Sequence, residues 1–199
     1  MGDFRSNPFS KPKGILGKLA GFLMTYGNGN RFRCEWSLQV MQIRPMDIIL
    51  EIGFGTGRVI QEISKIVTTG PIYGIEESDC MVKSAVKRNQ GDVQTNKVIL
   101  YHTSANNVPV FEKKIDKVFA INSYEFWEDK VNALCKIKEQ ISKNGEIFII
   151  HQILNSKGEP PINELCDMYS EDLLLSGFSD IVVKTNSTPE ILCVKATSN

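Results

Sequence analysis

The stretch Asp47-Ile-Ile-Leu-Glu-Ile-Gly-Phe-Gly-Thr-Gly-Arg58 decides the fold of this chain. Ile48, Ile49, Leu50 and Ile52 form an apolar run of the kind found in strands buried on both faces, as in a parallel sheet. Gly53, Gly55 and Gly57 then alternate, so the backbone can bend sharply and come close to a ligand where a Cβ would collide. A helical pattern from about Arg58 to Ile66 follows and points its N-terminal amides at that ligand. Strand, turn and helix make a cofactor site, with Glu51 beside it at the strand's carboxyl end. A dinucleotide fingerprint would run G-x-G-x-x-G and hold a pyrophosphate. Here the third glycine comes one residue early and a carboxylate stands two residues before the first, which suits an ammonium better than a phosphate.

The segment resembles motif I of the class I S-adenosylmethionine-dependent methyltransferases: an acid, one residue, then Gly-x-Gly-x-Gly at the end of the first strand. The resemblance implies S-adenosyl-L-methionine as methyl donor, S-adenosyl-L-homocysteine as product, no metal, and a donor site built from Glu51, Gly53, Phe54, Gly55 and Gly57. Pro71 to Ile75 reads as the second strand, ending at Glu76, 19 residues past Gly57, about where an acid meets ribose hydroxyls in nucleoside-binding sheets. Gly74-Ile-Glu-Glu-Ser-Asp-Cys-Met81 is similar to the pattern that follows motif I, which implies Glu76 as ribose ligand and Glu77 and Met81 along the nucleoside. A solvated loop acid is the alternative for Glu76. Ser78 caps the next helix, Asp79 to Arg88.

Lys97 to His102 is the third strand. The family usually follows it with an acid for the adenine amino group. This chain has Thr103-Ser104-Ala105, so Ser104 and Ala105 stand at that place without a charge, and Asn106 or a backbone carbonyl is an alternative partner. Ile115 to Ile121 is the fourth strand, expected to be buried except at Asp116 and Lys117. Asn122-Ser-Tyr-Glu-Phe-Trp127 resembles the family's segment facing the sulfonium and the acceptor. That implies Asn122 at the donor, Tyr124 as a catalytic candidate and Trp127 as an aromatic wall. Phe126 reads as a core anchor, and Trp127 has the same alternative.

A helix from Glu128 to Ser142 is expected to end at Lys143-Asn-Gly145, with Gly145 as left-handed cap. Gly145 to Ile150 is the fifth strand, and His151 lies at its carboxyl edge, the side on which open α/β sheets bind ligands. His151 is the general-base candidate, since an ordinary imidazole with pKa about 6.5 is mostly neutral at neutral pH; a hydrogen-bonded edge residue is the alternative. After a turn at Gly158-Glu-Pro-Pro161, Ile162 to Ser176 is the last helix, and Phe178 to Thr185 with Glu190 to Ala196 form a hairpin. The hairpin supplies the antiparallel strand that separates class I methyltransferases from dehydrogenases.

The expected fold is a three-layer, Rossmann-like α/β sandwich with a seven-stranded, mostly parallel sheet and an antiparallel C-terminal strand. Residues 45–199 form this domain and residues 1–44 an N-terminal helical cap. Residues 1–40 hold six basic and two acidic residues in a chain of zero net charge, so the cap is basic and the body mildly acidic. Within the cap, Gly14 to Met24 reads as a short amphipathic helix that packs on the domain, covers the pocket or rests on a membrane surface. A turn at Tyr26-Gly-Asn-Gly-Asn30 precedes a helix from Arg31 to Ile43, whose Trp36, Val40 and Ile43 share a buried face. Resemblance to the ubiquinone and menaquinone biosynthesis methyltransferases implies that this cap closes over the donor, with Tyr26, Asn28, Asn30 and Trp36 as pocket residues.

With 199 residues, 42% of them hydrophobic and 23% charged, the chain has the composition of one globular domain. Five scattered cysteines without a C-x-x-C pair suggest neither a disulfide framework nor a zinc site and point to the cytoplasm. Lys18 interrupts the early apolar stretch, so no signal peptide is expected. No nucleic-acid footprint is present. The expected activity is in-line methyl transfer to a small-molecule acceptor by a monomer or homodimer. A lipid head-group methyltransferase in peripheral membrane contact and a catalytically silent S-adenosylmethionine-binding regulator are the alternatives.

Overall fold

The computed structural model of the protein describes residues 29–154 and 159–199. The expected helix at 14–24, Tyr26, Asn28 and the side chain of Asn30 lie outside the described residues. Helix α1 (Gly29–Met41) leads into strand β1 (Ile49–Ile52), helix α2 (Arg58–Ser64), strand β2 (Ile72–Glu76), helices α3 (Asp79–Arg88) and α4 (Gln90–Gln94), and strand β3 (Val98–His102). Strand β4 (Ile115–Ile121), helix α5 (Lys130–Lys138), strand β5 (Ile141–Gln152), helix α6 (Ile162–Leu175) and strands β6 (Ser179–Ser187) and β7 (Glu190–Thr197) complete the order. No described helix is long and apolar enough to cross a membrane.

The sheet runs β3-β2-β1-β4-β5-β7-β6. Strands β1 to β5 pair in parallel, while β7 is antiparallel to both β5 and β6, as the expected hairpin requires. The chain winds outward from β1 to β3, then crosses back to lay β4 on the other side of β1. That reversal opens a crevice at the carboxyl ends of the strands, where such sheets bind ligands.

Period-two alternation assigns each strand residue to a layer. Leu50, Ile52, Ile147 and Ile149 face the core under α5 and α6, with Leu134, Leu165 and Leu173. Ile49, Phe119, Phe148 and Ile150 face the core under α1, α2 and α3, with Met41, Ile60 and Ala85. Each such side chain stabilises the fold by about 1.5–3 kcal/mol relative to exposure. Two consequences bear on the site: Glu51 shares the α1/α2 face with Ile49, and His151 shares the α5/α6 face with Ile149.

Three expectations are corrected. Along α1 the buried residues are Arg33, Cys34, Ser37 and Met41, whereas Trp36, Val40 and Ile43 are half-buried at its flank. Lys117 is buried, because Glu146 reaches it at 2.5 Å and also pairs with Lys195; Asp116 is half-buried, accepting from Ile48 N–H (2.9 Å) and the Ser142 hydroxyl (3.0 Å). The helix before β5 ends at Lys138, and β5 begins at Ile141. Asn144, at φ 63°, carries the left-handed conformation there instead of Gly145, whose Cβ would meet Ile141 Cγ2 at 2.4 Å.

Candidate functional site

The turn after β1 is held by backbone bonds to β2. Gly53 N–H donates to Ile75 O (2.8 Å), and Gly55 N–H donates to Glu76 Oε2 (3.0 Å). Glu76 Oε1 accepts from Ser78 N–H (2.9 Å), so the acid at the tip of β2 ties its own loop to the glycine turn. The glycines have different reasons. A Cβ on Gly53, at φ 76°, would stand 2.3 Å from Ser123 Cβ; one on Gly57 would crowd Ala85 on α3; one on Gly55 would meet nothing within 4 Å among the described residues. Phe54 turns inward instead: its ring lies where a Cβ on Gly74 would fall, packed in the core beside Ile60. As a side chain it is a core residue rather than a cofactor contact.

Glu51 is 3% exposed, and its Oε2 is buried with no hydrogen-bond partner among the described residues. Burial, and then repulsion from Glu76, push its pKa well above the usual carboxylate range, against the opposing pull of Arg33 and a hydrogen bond from the Ile60 backbone. Glu51 and Glu76 are thus two carboxylates at neighbouring strand tips with unlike surroundings. Along the expected nucleoside path, Met81 is buried at the start of α3, while the Glu77 side chain is exposed. Ser104 is half-buried and accepts from Asn107 Nδ2 (3.3 Å), and Ala105 is buried. The Asn106 amide donates to Asp129 O (2.9 Å) and so is already engaged.

At the tip of β4, Asn122 takes φ 51° and staples β4 to β5: its N–H donates to Ile150 O (2.8 Å) and its Oδ1 accepts from Gln152 N–H (2.7 Å). Ser123 then donates to Ile52 O (2.5 Å) and fills the space that Gly53 leaves. Sequence reading missed Ser123; its signal was a small hydroxyl residue just past a buried strand. Tyr124 belongs to the core, not to the catalytic surface. It is 1% exposed, donates to Asp172 Oδ2 (2.8 Å), and is edge-on to Trp127 and Tyr169. Burial and Asp172 push its phenol pKa far above the ordinary value. Trp127 is buried in the same cluster, whereas Phe126 is half-buried, the reverse of the expected order.

His151 sits between two acids that sequence reading did not single out. Glu125 Oε1 lies 2.7 Å from Nδ1, out of line for an aligned hydrogen bond, and Glu159 Oε1 lies 3.0 Å from Nε2. Tyr169 donates to Glu125, and Leu154 N–H to Glu159 (3.0 Å). Burial disfavours the imidazolium, but the two carboxylates outweigh it and raise the His151 pKa. Burial likewise opposes the Glu125 charge, and His151 and Tyr169 reverse that, lowering its pKa. His151 therefore keeps its proton to higher pH than an ordinary histidine.

A family model described as "Methyltransferase domain" matches residues 50–149. The chain is 27% identical over 181 residues to the uncharacterized methyltransferase YdaC of Bacillus subtilis, covering 90% of this chain and 97% of that one. It is also 27% identical over 149 residues to the putative methyltransferase YrhH of the same organism, covering 72% and 82% of the two chains. Among solved structures, a SAM dependent methyltransferase from Aquifex aeolicus superposes with a TM-score of 0.74 at 18% identity over 90% of this chain and 98% of that one. At that identity the likeness is one of fold.

Proposed function

Because the chain belongs to the methyltransferase domain family, we propose that it moves a methyl group from S-adenosylmethionine to a small-molecule acceptor by in-line displacement. One observation carries the donor assignment: among the described residues a buried carboxyl group, Glu51, keeps an oxygen without a partner beside a glycine turn that has open space at Gly55. Buried polar atoms are nearly always satisfied, so an orphan at a strand tip points to a ligand donor. An ammonium fits it, since a positive group would restore the charge that burial suppresses. Glu76 would take the ribose hydroxyls, each oxygen keeping a lone pair beyond its backbone bond. Met81, Ser104 and Ala105 would flank the base.

The donor brings an activated methyl carbon. The chain's own work is to bind, orient and exclude water, which accounts for much of the rate in reactions of this kind. His151 would serve as base only after giving up the proton that Glu125 and Glu159 favour.

Calorimetry with S-adenosylhomocysteine on the wild type and on Glu76→Ala tests the donor site. We expect binding by the wild type and a loss of at least about tenfold in the variant, about 1.4 kcal/mol. No heat from the wild type overturns the reading. Release of S-adenosylhomocysteine across an acceptor panel then separates an enzyme from a silent binder: tight donor binding without turnover on any acceptor supports the latter.

A further inference from the structure

At the carboxyl edge of β5 the chain holds one of its own carboxylates in the way a site would hold a ligand. Glu159, ahead of α6, has a side chain that is 12% exposed, and its Oε1 lies 3.0 Å from His151 Nε2. The Leu154 N–H donates to its Oε2 at 3.0 Å and, more loosely, to its Oε1 at 3.3 Å. An imidazole and a backbone amide from just past the same strand thus converge on both oxygens of one carboxylate. The other ring nitrogen faces Glu125 at 2.7 Å, and Tyr169 donates to Glu125, so the ring is held from behind. Behind this group stand Asp172 on α6, which accepts from Tyr124, and Lys130 on α5, over the Tyr124 ring. Next along β5, Gln152 N–H donates to Asn122 Oδ1, and Ser123 closes on the glycine turn. The His151 and Leu154 donors therefore stand at the same end of the sheet as the donor crevice, on its α5/α6 side.

Resting on the donor reading, we propose that His151 and the Leu154 N–H anchor the methyl acceptor and that the acceptor is a carboxylate, which takes the place Glu159 fills in the free protein. Both anchoring groups donate, and a protonated ring offers an ammonium no lone pair. One carboxylate replacing another leaves the charge beside Glu125 unchanged, whereas an amine would meet the imidazolium with like charge. Charge-assisted bonds to an oxyanion are also the stronger kind. Glu125 is the positioning residue that sets the ring. The chemistry agrees, since a carboxylic acid, with an ordinary pKa of about 4, arrives ionised at neutral pH and needs no base. One of its oxygens forms the bond to the methyl carbon while the carbon–sulfur bond breaks and its electron pair returns to sulfur. The products are a methyl ester and S-adenosylhomocysteine, and no proton moves. Burial works against the imidazolium and the surrounding carboxylates prevail, so His151 acts here as a fixed cation rather than as a base.

Two measurements test this. The first needs no donor and uses a His102→Gln background, in which His151 is the one remaining histidine. Glu159→Ala removes the chain's own occupant, and the His151 midpoint, followed by NMR, should fall. Acetate should then restore at least about half of the lost shift in a saturable way, while chloride at equal ionic strength and methylammonium should not. Glu159→Ser carries this arm if Glu159→Ala fails to fold. The second follows S-adenosylhomocysteine release by the wild type on matched probes, phenylacetate, 2-phenylethanol and 2-phenylethylamine, with octanoate, octanol and octylamine as an aliphatic set. Carboxylates should exceed their alcohol and amine partners by at least about tenfold in kcat/KM. An unmoved midpoint in Glu159→Ala, or an acetate effect no larger than that of chloride, overturns the anchor. Release from alcohols or amines but not from carboxylates, or from no probe while S-adenosylhomocysteine still binds, overturns the acceptor class. A wild type that gives no heat with S-adenosylhomocysteine defeats the donor reading instead, and the acetate experiment still decides the anchor.

Discussion

Replacing Gly53 with alanine isolates what the glycine turn requires of the fold. The residue sits at φ 76°, where an L side chain costs about 1–2 kcal/mol, and its new Cβ would stand 2.3 Å from Ser123 Cβ and 2.7 Å from Ser123 Oγ. Relieving that overlap by moving packed strand tips costs about 1–3 kcal/mol more. The sum is about 2–5 kcal/mol, a fall in melting temperature of about 4–20 °C for a chain of this size. Ser123→Gly separates the contributions. It loses the bond to Ile52 O, about 1 kcal/mol, in either background, so that effect cancels in a double-mutant cycle. The double variant should therefore be more stable than additivity allows by about 1–3 kcal/mol, the steric share, with the conformational share remaining. Urea unfolding of the four proteins measures this. Additive losses would refute the contact, and a neutral Gly53→Ala would refute the turn's geometry.

Two further outcomes follow from the crevice's surroundings. Tyr124→Phe removes a buried donor from Asp172 and should destabilise the protein by about 1–3 kcal/mol while leaving turnover within about twofold; a collapse of turnover in a folded variant would return Tyr124 to catalysis. For His151, whose pKa is raised in the folded protein, the stabilising share is fully present below about pH 6.5 and is lost as pH rises through the folded-state value. In a His102→Gln background the imidazole of the one remaining histidine should titrate by NMR above 6.5, and Glu125→Gln should lower its midpoint; a midpoint at or below 6.5 sinks the two-carboxylate account.

Much of the frame was legible because it rests on local patterns. Buried parallel strands read as continuous apolar runs, the glycine spacing marked the turn after β1, and the antiparallel β7 followed from a hairpin at the chain's end. The misreadings cluster where a partner distant in sequence decides. Lys117 looked exposed because a charge in a strand usually is, and Glu146, 29 residues on, reverses that. Tyr124 and Trp127 looked available because they follow β4, but Tyr169 and Asp172 on α6 draw Tyr124 into the core. The acids beside His151 were not legible because neither Glu125 nor Glu159 can be placed against it until β5 is packed beside β4 and α6. Periodicity shows which face a side chain takes, and not which charge waits there.

The two strand-tip acids are like groups in unlike surroundings. Glu76 receives two backbone N–H bonds, which fix its direction. Glu51 has an oxygen without a partner among the described residues, full burial and a like-charged neighbour, so in the free protein its ionised form is disfavoured. A raised acid pKa means that folding binds a proton the unfolded chain would release, so Glu51 lowers stability as pH rises above the ordinary carboxylate range. A group that weakens the fold at neutral pH is best accounted for by what it gains when occupied. Under the proposed function, an arriving ammonium would supply the missing partner and a compensating charge together.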